Sequence, residues 1–113
     1  MVALGGTPLR GEVWACAFRQ PIGAHPVVVL TANRIAQPLA SITVALITGT
    51  EGPVETHVPV SADSGLKKYD ESSVNCTDIH TVNKPQLRRR LGLLAQGELH
   101  AVESNIRVIL GLG

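Results

Sequence analysis

Pro26-Val27-Val28-Val29-Leu30-Thr31 runs without polar alternation, and Thr43-Val44-Ala45-Leu46-Ile47-Thr48 reads the same way. A strand with one solvated face alternates apolar and polar residues; an unbroken apolar run of this length fits a strand buried on both faces. Val, Ile and Thr total 28 residues, and β-branched side chains lose little rotamer freedom on a pleated surface, so both runs predict central strands. Working outward, Gly11 to Phe18 predicts a first strand that stops at the Pro- and Gly-punctuated loop Arg19-Gln20-Pro21-Ile22-Gly23. After the turn-rich stretch Gly49 to Pro53, Glu55 to Val60 predicts a short strand, which Pro59 assigns to an edge. Ser73 to Val82 predicts a long strand and Arg88 to Leu93 a short one, with a single helical turn at Asn83 to Leu87 between them. Leu99, Val102, Ile106, Ile109 and Leu110 recur at helical spacing up to Gly111 and predict a closing helix. The expectation is a mainly β (α+β) fold: a small, strongly bent, barrel-like sheet of five to six strands with a C-terminal helix, one domain over 1–113, with 1–9 a flexible N-terminal extension.

Composition narrows the function classes. With 113 residues, 44% hydrophobic and 17% charged, the chain has apolar side chain enough for a core. No apolar run approaches the roughly 18–20 residues that span a bilayer, and Met1 to Arg10 lacks a basic cluster followed by an apolar stretch, so a cytoplasmic protein without membrane contact is expected. A net charge of +1 is not the signature of a strongly basic nucleic-acid binder. Trp14, Phe18 and Tyr69 are too few for modules that stack several successive bases. RNA or DNA contact must then rest on hydrogen bonds, loops and local charge.

Cys16, Cys76 and the four histidines His25, His57, His80 and His100 include no Cys-x-x-Cys and no His pair on one helical turn, so no metal is expected and the cysteines read as small hydrophobes. No Walker-type loop and no Gly-x-Ser-x-Gly elbow is present. His25 opens the second strand and Thr48 closes a central one, both beside loops, where small β-proteins place their sites.

Arg10-Gly11-Glu12-Val13-Trp14 resembles the Arg-Gly-(Glu/Asp)-(Val/Ile)-(Trp/Tyr) opening of the MazF/PemK family, the toxin ribonucleases of type II toxin–antitoxin pairs. In register with it, Gly23-Ala24-His25-Pro26-Val27-Val28-Val29-Leu30 resembles Gly-x-Arg-Pro-Val-Val-Val-Leu, and Ala45-Leu46-Ile47-Thr48-Gly49 resembles a strand ending in Ile/Val-Thr-Ser. Asn33, Gly65-Leu66, Ser73 to Cys76, Asp78 to Val82, Lys84-x-x-Leu87, Gly92 and the closing helix also match, so the resemblance covers Arg10 to Leu112. It implies an SH3-like small barrel and a cofactor-free, metal-independent endoribonuclease that works as a homodimer on single-stranded RNA and is held in check by an antitoxin on a separate chain. It further implies that Thr48 and the residue at position 25 carry cleavage by 2′-hydroxyl attack, leaving a 2′,3′-cyclic phosphate and a 5′-hydroxyl.

The sequence departs from the family at two points: His25 stands in place of arginine, and Gly49 in place of serine. Arginine is a permanent cation with a bidentate fork, whereas an imidazole, with an unperturbed pKa near 6.5, suits proton transfer. The expectation is that His25 exchanges protons, the Thr48 hydroxyl holds the phosphate, and Arg19 supplies cationic charge. Arg19, Arg34, Gly49, Thr50, Asn75, Thr77, Asp78 and His80 are the expected RNA contacts, reading unstacked bases and phosphates. Arg88-Arg89-Arg90 and Lys67-Lys68 read as solvated surface. Competing readings are a weakened ribonuclease that retains antitoxin or partner binding, a CcdB-like toxin that binds gyrase, and a plain SH3-like module, which would want more aromatics to grip Pro-rich ligands.

Overall fold

Val27, Val28 and Val29 have no exposed surface, and Val44 to Ile47 are all buried, so the two apolar runs are the centre of the sheet. The computed structural model describes residues 7–113. Six strands form one antiparallel sheet: β1 (Glu12–Ala17), β2 (Ala24–Val29), β3 (Ser41–Thr48), β4 (His57–Pro59), β5 (Ser73–Asn83) and β6 (Leu87–Leu93). Their spatial order is β4-β5-β3-β2-β1-β6, which puts the Pro59 strand on an edge as its composition required. Two helices, α1 (Asn33–Ala36) and α2 (Gln96–Leu110), and 3-10 turns at Ala62–Ser64, Tyr69–Glu71 and Lys84–Gln86 complete the fold. The sequence reading contains no counterpart of α1. Residues 1–6 of the expected extension lie outside the described residues; Pro8 is buried and the Leu9 amide donates to Glu12 Oε1 at 2.7 Å.

Both faces of the sheet carry a core. On one, Val13, Val28, Ala45, Ile47, Val74 and Cys76 pack beneath α2, whose Val102 is fully buried, with Leu99, Ile106 and Ile109 alongside. On the other, Cys16, Val27, Val29, Ile42, Val44, Leu46, Val82 and Leu87 pack with Ala36, Trp14 and Phe18. This second face is strongly curled. The Phe18 and His80 rings meet edge to face at 5.3 Å between centroids, although β2 and β3 lie between their strands and neighbouring strands are about 4.8 Å apart.

The hydrogen-bonded ladder ends at β4 and β6, and packing joins those edges. The turn at Ala62–Ser64 lies so close to β6 that a Cβ on Gly65 would sit 1.8 Å from the Leu91 carbonyl oxygen, and one on Gly92 would sit 2.2 Å from the Asp63 carbonyl oxygen. Only residues without a side chain permit that approach.

β5 switches phase along its length. It pairs Val74 with Ile47 and Ile79 with Ala45, so the four residues between them on β5 face the single residue Leu46 of β3. Such a bulge re-aims side chains. Strict alternation would send Asn75 and Asp78 to opposite faces; the bulge returns both to the curled face, together with His80.

Candidate active site

Pro26 sets the geometry around His25. Val28 pairs with Ala45, and the Leu30 amide donates to Thr43 at 2.9 Å, so hydrogen-bonded rungs of the β2–β3 ladder fall on alternate residues and the next one is Pro26 opposite Ile47. Proline has no N–H to give, which would leave the Ile47 carbonyl unpaired on that side. The His25 ring supplies the missing donor: Nε2 lies 2.8 Å from the Ile47 carbonyl oxygen. A carbonyl only accepts, so the proton sits on Nε2, and Nδ1 is the nitrogen free to take or give a proton.

The same register, carried one residue further, brings His25 opposite Thr48 on the curled face. The Thr48 Oγ1 accepts from the Thr50 amide at 3.2 Å, which fixes the rotamer and leaves the hydroxyl proton to donate outward. Gly49 is exposed, and a Cβ there would meet nothing within 4 Å. Thr48, Gly49 and Thr50 thus form an open polar corner beside a half-buried imidazole.

The flanks of this corner differ in charge. Arg19, exposed in the β1–β2 hairpin, sits at the His25 end of the sheet, since Cys16 pairs with His25 and the Ile22 amide closes the turn onto the Arg19 carbonyl at 3.1 Å. On the other side Thr48 pairs with Ser73, which lines a groove of about 380 Å³ with Glu51, Asp70, Glu71 and His57. An anionic strand crossing Thr48 is therefore repelled by the β4 side and drawn toward the hairpin.

Among the other expected RNA contacts, Asn75, Asp78 and His80 share the curled face with His25 and Thr48. Asn75 Oδ1 accepts from the Thr77 hydroxyl at 2.6 Å and its amide at 3.1 Å. The His80 Nε2 is 2.6 Å from Asp78 Oδ1. Arg34 is placed elsewhere: it is exposed on α1, beyond the far end of β2 from His25. The structure adds a cluster that the sequence reading passed over. Glu12 Oε1 accepts from the Leu9 amide and from Trp14 Nε1 (3.1 Å), while Oε2 accepts from Arg90 Nε at 2.7 Å. Burial opposes ionisation of Glu12, but these three donors and the Arg90 charge outweigh it and hold the carboxyl below its ordinary range.

The cysteines are packing residues. Burial pushes the Cys16 thiol up to about 11, against the nearby Arg88 charge, and also raises Cys76, so neither is a nucleophile near neutral pH. Among the described residues no group of three or more His, Cys, Asp or Glu side chains converges to hold a metal ion. No helix among them is long and apolar enough to cross a membrane.

Comparison with known proteins gives the family of the chain. Residues 9–110 match the sequence profile of a family described as PemK-like, MazF-like toxin of type II toxin-antitoxin system. The chain is 30% identical over 102 residues to a Mycobacterium tuberculosis protein named probable endoribonuclease MazF2, covering 90% of this chain and 97% of that one. It superposes on the M. tuberculosis toxin MazF-mt6 with a TM-score of 0.80 at 29% identity, covering 90% and 98% of the two chains. A mycobacterial endoribonuclease solved in complex with its cognate antitoxin gives 0.82 at 25% identity, over 94% and 97%.

Proposed function

Because the chain belongs to the PemK-like, MazF-like toxin family of type II toxin–antitoxin systems, we propose that His25 and Thr48 are the pair with which it cuts single-stranded RNA. The protein is an endoribonuclease toxin of that family, and a cognate antitoxin is its partner. It works as a homodimer in the cytoplasm, where cellular RNA is its substrate. The observation that carries the site is the His25 ring anchored through Nε2 to the Ile47 carbonyl, on a strand register that sets it across from Thr48, whose hydroxyl keeps its proton to donate.

In this reading His25 Nδ1 takes the 2′-hydroxyl proton as that oxygen attacks phosphorus. The bond from phosphorus to the 5′-oxygen breaks, a 2′,3′-cyclic phosphate remains, and the departing oxygen takes up a proton from the imidazolium or from water. The Thr48 hydroxyl donates to a non-bridging phosphate oxygen throughout, and Arg19 offsets the charge that builds there.

The test is incubation of the purified protein with single-stranded RNA in EDTA, followed by analysis of the new ends. Cleavage with cyclic-phosphate ends that His25→Ala and Thr48→Ala each abolish, at a rate that changes across the pH range where imidazoles titrate, is the expected result. A rate flat through that range while His25→Ala is inactive removes the proton-transfer role. His25→Arg separates a working histidine from a handicapped one: a large gain in rate shows that this chain is a weakened member of its family.

A further inference from the structure

The groove between β1, β6 and α1 has no part in the chemistry above, yet its lining suits a nucleotide. It encloses about 820 Å³, within the range of small-molecule sites. Trp14, Glu12, Arg90, Arg34, Asn33 and Gln37 line it. Trp14 offers a half-buried ring whose N–H is already tied to Glu12, so its remaining interaction is through the π face. Arg90 is held through Nε by the other Glu12 oxygen, which leaves its terminal amino groups unspent. Arg34 is exposed across the groove and has no hydrogen bond or ion pair among the described residues. Glu12 is the one carboxylate among the lining residues. Trp14 and Cys16 share a face of β1, and Cys16 is paired with His25, so the indole lies about 7 Å along the strand from the rung of the candidate active site.

We propose that this groove is a second RNA subsite, in which a base of the strand flanking the cut stacks on Trp14 while Arg34 and Arg90 hold its phosphate. The proposal rests on the ribonuclease reading above. Stacking on one aromatic and two guanidinium contacts tolerates any base, so the subsite lends affinity rather than sequence choice.

Trp14 is the single tryptophan, so its emission reports the groove directly. The probe is a 2′-O-methyl RNA of mixed sequence, about ten nucleotides long, in which the attacking hydroxyl is blocked. Its titration is expected to quench Trp14 emission, and a 5-bromouracil version is expected to photocrosslink to the Trp14 peptide. Arg34→Gln should flatten the slope of log affinity against log salt by about 0.7, and Trp14→Leu should weaken binding roughly 5- to 150-fold. With a long cleavable RNA both variants raise KM more than they lower kcat. Unchanged emission and a crosslink confined to other peptides, while long RNA is still cut, overturn the subsite and leave the ribonuclease reading intact. Absence of any binding or cleavage overturns both.

Discussion

Replacing Gly65 by alanine tests how the sheet edges are joined. Its φ of +78° is left-handed, which costs an L-residue about 1–2 kcal/mol. Its Cβ would also lie 1.8 Å from the Leu91 carbonyl oxygen, which is backbone and has nowhere to swing. Forced overpacking costs about 1–3 kcal/mol, so Gly65→Ala should lose about 2–5 kcal/mol. Gly92→Ala meets the Asp63 carbonyl at 2.2 Å without a positive φ, so only the steric part applies, about 1–3 kcal/mol. Gly97, near the start of α2, has nothing within 4 Å of its Cβ position. There the same substitution should stabilise by up to about 1 kcal/mol by restricting the unfolded chain. At about 4–8 °C per kcal/mol for a domain of roughly this size, thermal melts followed by circular dichroism should rank Gly97→Ala above wild type, then Gly92→Ala, then Gly65→Ala. A Gly65→Ala protein melting within about 2 °C of wild type would mean that the turn does not pack on β6, and the account of edge closure would be wrong.

Three further substitutions or treatments probe individual contacts. The Glu12 carboxyl has its folded-state pKa below the ordinary 4.5, so its stabilisation is present above that value and is lost as pH falls through the folded pKa; Glu12→Gln should flatten the acid limb of stability against pH, and an unchanged limb would show that the Leu9, Trp14 and Arg90 contacts do not persist in solution. Cys16 and Cys76 should resist iodoacetamide at pH 8 in the native protein and label fully in denaturant, whereas fast native labelling would contradict their burial. Pro26→Ala restores an N–H opposite Ile47, so the ladder can close without the His25 ring; kcat should fall while the melting temperature holds or rises, and an unaffected kcat would show that the ring anchor is not needed for cleavage.

Most of the strand order along the chain was legible because β-branched runs and Gly/Pro punctuation agree locally. Pro26-to-Thr31 and Thr43-to-Thr48 announced burial on both faces, and Pro59 announced an edge. α1 was not legible: Asn33-Arg34-Ile35-Ala36 is a single turn held by amide bonds back to Ala32, and four residues carry no helical periodicity. The phase switch in β5 was equally hidden. Asn75-Cys76-Thr77-Asp78 contains nothing that marks a bulge, and only pairing with β3 at both ends fixes where the extra residues go. His25 and Thr48 could be named from strand ends and family likeness, but their approach depends on a register set by β2 and β3 together. Trp14 and Arg90 are 76 positions apart, and the Glu12 carboxylate that links them is visible only once β6 lies beside β1.

The exchange of arginine for histidine changes what the rest of the surface must supply. An arginine at position 25 would bring charge and two parallel donors to the phosphate at once. His25 spends its Nε2 proton on the Ile47 carbonyl, so the neutral ring offers the substrate an acceptor and no donor. It gains a free nitrogen suited to taking a proton and gives up the electrostatic grip. Under the site proposed above, that grip falls to groups away from position 25: the Thr48 hydroxyl at the reacting phosphate, Arg19 on the hairpin, and Arg34 and Arg90 of the proposed second subsite. Glu51, Asp70 and Glu71 on the opposite flank reinforce the same direction by repulsion. Proton transfer and anion binding are thus divided, in the proposed site, between an anchored imidazole and a set of guanidinium groups. Salt should accordingly weaken substrate binding far more than it slows the chemical step.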